Sequence, residues 1–433
     1  MTLIYFLPLV VLSLFRVVFF QGHFAPHRRS GDFILSLYLA TFIFGIFFHL
    51  FYPEQSRFPP SSTAMLFLSL CLVIYFLPIL QFQNRQLQQI EIGNILVIRA
   101  LTIILLIGSI YSILMFISKV SAAFSGDINT YRLAVNTGEI NVGSTTIFET
   151  IAVGFSTFFG IVQLLGFVCL FSKLFGKYSK IIGTLLLASS LSYVLNSFSY
   201  AGRDGVVFWL FSILFNFLLF RSWFGVNLIK GLKHLIIITG ILITIFFMII
   251  SYSRFSLDTF YYLFSYISQQ MVVFNDVYLL DPPLYHGDKS FHDIKSLFVS
   301  SENLLDRSQY FQYYISNDIE PWRFKYFVGT FLMDFGPLGT LTLIAITAAF
   351  ILFLLFSKTV NSTNNRTIKI DTLFLYYLYC QIGFMGVFYF KHSALNNFLL
   401  AVFILAIFLR VIIFIPRLKV FLVNRSGEIP HTS

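Results

Sequence analysis

A chain of 433 residues that is 57% hydrophobic, 19% aromatic and only 11% charged is too apolar for a set of water-soluble domains, and its repeated apolar runs of about 18 residues or more belong to the membrane class. The formal net charge of +10 invites a nucleic-acid partner, but that reading fails because the charge is gathered in the connections on one side of the apolar runs. Cys71, Cys169 and Cys380 all fall inside such runs, so they read as small hydrophobes, with neither a disulfide framework nor a thiolate metal cluster to build.

The pattern predicts one all-α integral membrane domain over residues 1–433, a bundle of about 11 (10–12) transmembrane helices at roughly 2–20, 33–52, 64–82, 95–117, 147–171, 181–200, 206–220, 235–252, 327–356, 372–390 and 398–416. The first run has no basic segment ahead of it and no small-residue cleavage site before His23 to Arg29, so it reads as a retained span rather than a signal peptide. Assigning alternate connections to opposite faces sorts the cations. One face collects Arg28, Arg29, Arg85, Lys173, Lys177, Lys180, Arg221, Lys230, Lys233, Lys358, Arg366, Lys369, Arg417, Lys419 and Arg425. The other, its longest loop aside, holds Arg57, Lys119, Arg132, Arg203 and Lys391. The basic face is the cytoplasmic one, which puts the C-terminus inside.

Two connections are too long to be simple turns, and both fall on the outer face: 119–146 and the large loop 253–326. The smaller one carries Arg132, followed by Gly143. Arg132 is either an anion ligand or a member of a surface ion pair with Asp127 or Glu139. Between the sixth and seventh spans stands Gly202-Arg203-Asp204-Gly205, an ionisable pair squeezed between two membrane-length segments. Charge there is costly unless it meets water, a partner or an anionic substrate. The alternative is a tight turn with a snorkelling arginine, its two glycines supplying the bend. Arg254 follows the next predicted span on the same face, as a second phosphate ligand or as an interface anchor.

The large loop is rich in Phe, Tyr, Leu and Val, so it is expected to fold against the bundle. Within it, Leu257 to Leu280 fits a helix lying along or dipping into the membrane interface, stopped by Asp281-Pro282-Pro283. The loop closes on Trp322-Arg323-Phe324-Lys325-Tyr326, where aromatics interleave with the cations Arg323 and Lys325. Such a run can stack on sugars and neutralise phosphate, or simply form an aromatic belt. Asp334, about seven residues into the following span, needs a partner: it is a candidate base, a structural ion-pair member, or a helix-terminus residue beside Gly336 and Pro337. His392, His286 and His292 are outer-face histidines, a residue type suited to general base work, none within a triad signature. No phosphate-cradling glycine loop, zinc motif, calcium loop or nucleophile elbow is present. Any work on this face has to draw its energy from the substrate.

The large outer loop late in the chain, the arginine of Gly202-Arg203-Asp204-Gly205 between two middle spans, and Gly329-Thr330 followed by Asp334-Phe335-Gly336 and Gly339 resemble the Wzy-type O-antigen and capsule repeat-unit polymerases. The resemblance covers nearly the whole length as architecture, through short motifs. It implies a multi-pass glycosyltransferase of the bacterial inner membrane, acting on the periplasmic face in lipopolysaccharide or capsular polysaccharide biosynthesis. Such an enzyme moves a growing glycan from undecaprenyl pyrophosphate to a fresh lipid-linked repeat unit, without a cofactor or metal. Its partners would be undecaprenyl-pyrophosphate-linked glycans and membrane lipid, with a flippase and a chain-length regulator of the same pathway, and no nucleic acid. Arg203 looks like the family's middle-span arginine, and Arg132 with Gly143 is similar to an outer-loop spacing of some members. On this reading Arg203, Arg254, Arg132, Arg323 and Lys325 bind the pyrophosphate, and Asp334, then Asp204 or His392, supply the base. The runner-up is a flippase for the same lipid-linked unit; a third reading is a partner of the export complex without chemistry of its own.

Overall fold

The computed structural model describes residues 2–20, 29–82, 87, 89–92, 94–125, 130–131, 146–200, 202, 204–224, 259–281, 284–288, 290–291, 295, 298, 312, 315–316, 323–356, 367–388 and 420–423, and they are predominantly helical. In chain order they form α1 (Phe6–Phe20), α2 (Arg29–Phe51), α3 (Ser62–Gln81), β1 (Gln89–Ile92), α4 (Ile95–Phe124), α5 (Ile147–Thr157), α6 (Phe159–Phe171), α7 (Ser179–Ser189), α8 (Ser192–Ser199), α9 (Asp204–Leu219), α10 (Thr259–Ser268), α11 (Gln270–Leu280), α12 (Tyr326–Phe356), β2 (Thr367–Lys369), α13 (Ile370–Met385) and β3 (Val420–Val423). Nine of the predicted spans fall on these helices. Those at 235–252 and 398–416 lie outside the described residues.

By length and apolar character five described helices can cross a membrane: Ser30–Phe51, Ser62–Gln81, Ile95–Phe124, Gly176–Ser199 and Tyr326–Leu355. They become six if the bent pair α5–α6 counts as one span. The expected count of about 11 is not reached among the described residues, because helices such as α1, α9 and α13 have only 15 or 16 residues.

The strictly all-α reading needs one correction. Three short strands form a sheet in the order β2-β1-β3. β1 runs parallel to β2, with Glu91 opposite Lys369, and antiparallel to β3, with Ile90 opposite Leu422. Ile90 and Ile92 point to the buried side and Glu91 to the other, the period of two expected of a half-buried strand.

The chain's contacts gather into two compact units: residues 1–83, 255–358 and 379–400 in one, 84–254, 359–378 and 401–433 in the other. In the first, α1 and α2 are clamped at one end by a bidentate ion pair, in which Arg16 Nε donates to Asp32 Oδ1 at 2.6 Å and Nη2 to Oδ2 at 3.0 Å. At the other end lies the 52–61 connection. The contacts of α10 and α11 with α2 fall between Phe44 and Tyr52, and Tyr278 meets α3 at Phe67, within its first two turns. From Tyr261 to Met271 the pair steps back along α2 from Tyr52 to Gly45, it returns to the 57–61 connection through Asn275 and Asp276, and it stops at Asp281 in the left-handed conformation (φ 45°).

α12 breaks at Gly336, whose φ of 66° and ψ of −179° suit glycine alone. Pro337 has no N–H to offer the Met333 carbonyl four residues back, so that carbonyl accepts from Tyr285 N–H at 3.2 Å, and the Asp334 carbonyl accepts from His286 N–H at 2.9 Å.

In the second unit, α5 and α6 meet at a 54° bend, and α7 and α8 are interrupted at Ser190-Leu191. α6 and α7 cross where a Cβ on Gly183 would stand 2.8 Å from the Gly166 carbonyl oxygen. The sheet marks one end of this unit. There Trp223 Nε1 donates to the Leu87 carbonyl, and Arg99 Nε to that of Leu174 at 2.6 Å. The opposite end carries the Lys119–Glu149 ion pair (2.8 Å) and the Phe124–Phe198 edge contact. α4 continues to Phe124, so the first part of the predicted 119–146 loop is helical.

Candidate anion-binding site

Of the predicted site residues, Arg203, Arg254, Arg132 and His392 lie outside the described residues, as does His292. Asp204, Arg323, Lys325 and Asp334 are described, and two separate settings emerge.

The first is the α8–α9 turn of the second unit. Gly202 N–H donates to the Ser197 carbonyl at 2.9 Å. Ser197 Oγ donates to Asp204 Oδ1 at 2.8 Å and accepts from Gly205 N–H at 3.1 Å. Asp204 thus opens α9 as an acidic first-turn residue, where the helix dipole favours a carboxylate. The two glycines do not supply the bend by left-handed backbone, since neither has a positive φ. They are there for close approach: a Cβ at Gly202 would sit 2.4 Å from the Tyr200 ring, and one at Gly205 2.4 Å from Ser197 Cβ. Beside this turn, the Tyr131 hydroxyl donates to the Ser199 carbonyl at 2.9 Å. That bond ties the peptide preceding Arg132 to the helix end that leads into Arg203.

The second setting is the α10–α11 end of the first unit. Arg323 reaches the Gln55 carbonyl from both terminal nitrogens (3.4 and 3.3 Å) and Gln269 Oε1 from Nε (3.4 Å). Asp276, 7% exposed, accepts from the backbone N–H groups of Arg57 (3.1 Å) and Phe58 (3.2 Å). Burial raises its carboxyl above the usual range, against the pull of those donors and of the Arg323 charge. Asn275 closes the same connection, accepting from Ser61 N–H and donating to the Pro59 carbonyl. Lys325 is only 2% exposed, and burial, helped by the Arg323 charge, pushes its amine down to about 7. With its charged form disfavoured by burial, it is a weaker phosphate ligand than Arg323. Asp334 is fully buried, and its Oδ2 accepts from Ser290 N–H at 2.7 Å. That bond fastens Ser290 to the helix just before the break in α12.

Composition gave no sign of Ser197, Tyr131 or Asp276 as organising residues, because their partners lie 7 to 219 residues away with no fixed spacing to read. A neutral network was equally hidden: Ser212 Oγ donates to Gln163 Oε1 and pairs with Tyr377, while Gln163 Nε2 and Trp209 Nε1 both donate to Ser190 Oγ. No protein-family model, curated protein or solved structure matches this chain.

Proposed function

We propose that the protein is a membrane glycosyltransferase that polymerises undecaprenyl-pyrophosphate-linked oligosaccharide repeat units on the outer face of the bacterial inner membrane. The acceptor hydroxyl oxygen forms the new bond to the donor's anomeric carbon, the bond from that carbon to the pyrophosphate oxygen breaks, and its electron pair leaves on the pyrophosphate. The acceptor's proton passes to a base, with Asp204 and His392 the candidates beside Asp334. Arginines held in a water-poor setting neutralise the charge that develops on the leaving group.

The observation that carries this reading is the Tyr131–Ser199 hydrogen bond. It ties together two chain segments whose next cations are Arg132 and Arg203, each a phosphate-ligand candidate on sequence grounds alone. Two forks of donors converging on one diphosphate suit it far better than either alone. The test is Arg203→Ala and Arg132→Ala in cells making surface glycan. Each is expected to collapse the long-chain ladder to single repeats at unchanged protein level, and a normal ladder in both rejects the assignment.

Transport of the same lipid-linked unit is the second reading, and one observation favours it. The breaks in α5–α6 and α7–α8 face each other, with Phe159 stacked on Tyr193 at 4.1 Å and Asn196 Nδ2 donating to Ser156 Oγ at 2.8 Å. Discontinuous helices of this kind line substrate sites in transporters. Purified protein in vesicles loaded with lipid-linked repeats separates the two: polymer forms, or lipid crosses without lengthening.

A further inference from the structure

We propose that the α6–α7 connection and the start of α4 form a site for an anionic phospholipid of the leaflet at the sheet end of the second unit. The site lies at an end of the unit that the proposed reaction leaves unused, and it does not rest on that reading. Arg99, Lys173, Lys177 and Lys180 stand here, the three lysines exposed and the arginine half-buried. α4 packs beside both α6 and α7. Arg99 Nε donates to the Leu174 carbonyl at 2.6 Å, which brings the arginine to the connection that carries Lys173. Its guanidinium carbon lies 5.9 Å from the centre of the Phe175 ring, and Lys177 Nζ lies 5.0 Å from that of Tyr178.

The counter-charge for these cations does not come from the elements that carry them. No Asp or Glu occurs between Glu91 and Asp127, or between Glu149 and Asp204, so α4, α6 and α7 bring none. Among the described residues Arg16, Lys119 and Lys295 are each met by a carboxylate, and these four cations are not. Glu91, at the same end, stands opposite Lys369 across the β1–β2 pair. Like charges gathered at a membrane surface raise one another's energy, and an anion from outside relieves them. The connection is also fixed in advance. Gly176 takes a φ of 61°, its N–H donates to the Lys173 carbonyl at 2.9 Å, and Phe175 N–H donates to Ser179 Oγ at 2.7 Å. Little backbone ordering is left to oppose binding.

The neighbouring side chains indicate that the anion carries acyl chains. Lys177, Ile181 and Leu185 recur at intervals of four, as Arg99, Ile103 and Ile107 do on α4, so in each case a cation heads one stripe of a helix. The stripes are apolar and open: Ile181 is 58% exposed, Leu185 46% and Ile107 63%. Both run away from the sheet end. A free phosphate would use the cations alone, whereas a diacyl phospholipid sets its headgroup on the cations and its chains along the stripes.

The experiment takes the full chain in detergent micelles and measures by native mass spectrometry its affinity for dioleoylphosphatidylglycerol. Dioleoylphosphatidylcholine and inorganic phosphate are the comparison probes. Phosphatidylglycerol is expected to bind about tenfold tighter than phosphatidylcholine, and millimolar inorganic phosphate to leave it in place. Lys173→Gln and Lys177→Gln are each expected to weaken phosphatidylglycerol about fivefold, while Lys177→Arg keeps the wild-type affinity. Lys119→Gln, at the opposite end, also keeps it. Arg99→Gln removes the bond to Leu174 as well as a charge, so the exposed lysines carry the test if that variant does not fold. Equal affinity for the two lipids, or unchanged phosphatidylglycerol binding in both lysine-to-glutamine variants, overturns the site. So does a loss in Lys119→Gln as large as theirs, which would mean attraction to net charge alone. Displacement by inorganic phosphate would make this a free-anion site and overturn the lipid assignment.

Discussion

Lys325 and Asp276 are buried ionisable groups at the same end of the first unit, and burial moves them in opposite directions. The Lys325 amine is pushed down to about 7 from an ordinary 10.5. The folded chain therefore binds this proton less readily than the unfolded chain, so the group's cost is full below about pH 7 and fades as pH rises toward 10.5. Between pH 7 and 9 the wild type should gain on the order of 2 kcal/mol relative to Lys325→Met, whose profile lacks the rise. Thermal midpoints of the detergent-solubilised proteins at the two pH values measure it, and parallel profiles would refute it. Asp276 has the opposite sign. Its folded carboxyl is raised, so its contribution declines as pH climbs from the ordinary value of 3.8 through the raised one. Removing the carboxylate is costly all the same, because it takes away the acceptor of the Arg57 and Phe58 N–H groups and a charge that interacts with that of Arg323. Asp276→Ala is expected to lower stability by about 3 kcal/mol, and Asp276→Asn, which keeps one acceptor, by about half as much. Chemical denaturation of the pair in detergent decides whether the two costs rank in that order.

The break in α12 shows what the sequence makes legible in an element and what it hides. Gly336-Pro337 can be read as an interruption, and Asp334 as an acid in need of a partner. The partner itself, Ser290 N–H, lies 44 residues back across the large loop, a distance no local pattern encodes. Periodic apolar runs of 15 residues or more declared the helices well because each repeats its pattern over several turns. The strands stayed invisible because three or four residues of alternation, as in Gln89–Ile92, match almost any segment. The Arg203 motif is intermediate: its glycines announce a turn, but their close approach to Ser197 depends on a helix that the turn itself folds back upon. Gly336→Ala tests the break directly. A Cβ there would make ordinary van der Waals contact with Leu284, at 3.5 Å, so the cost is that of the backbone conformation, about 1–3 kcal/mol. A thermal midpoint unchanged from wild type would mean that the segment relaxes into a regular helix.

At the scale of the molecule the ordering of ends matters most, because one additional crossing within 253–326 would invert the N-terminal half relative to the C-terminal half. Contacts inside the first unit order the connections of that unit alone. Arg323 donates to the Gln55 carbonyl, and the N–H groups of Lys325 and Tyr326 both reach the Phe388 carbonyl. The connections 52–61 and 323–325 and the end of α13 therefore share one end of the first unit, which α11 also reaches through Asp276. In the second unit, Lys173, Lys177, Lys180, Arg221 and Lys369 belong to connections at the sheet end, while Tyr131 and the Arg203 turn belong to the other. Within the second unit these described cations gather at one end, the pattern that the positive-inside rule associates with a cytoplasmic face. The consequence can be measured by cysteine labelling, since Cys71, Cys169 and Cys380 are all buried and leave a silent background. Glu54 and Lys177 are both exposed. Glu54→Cys should react with a membrane-impermeant maleimide in intact cells, and Lys177→Cys only after the membrane is opened. Labelling of both from the same side would break the sidedness on which an outward-facing arginine site depends, whatever the chemistry carried out there.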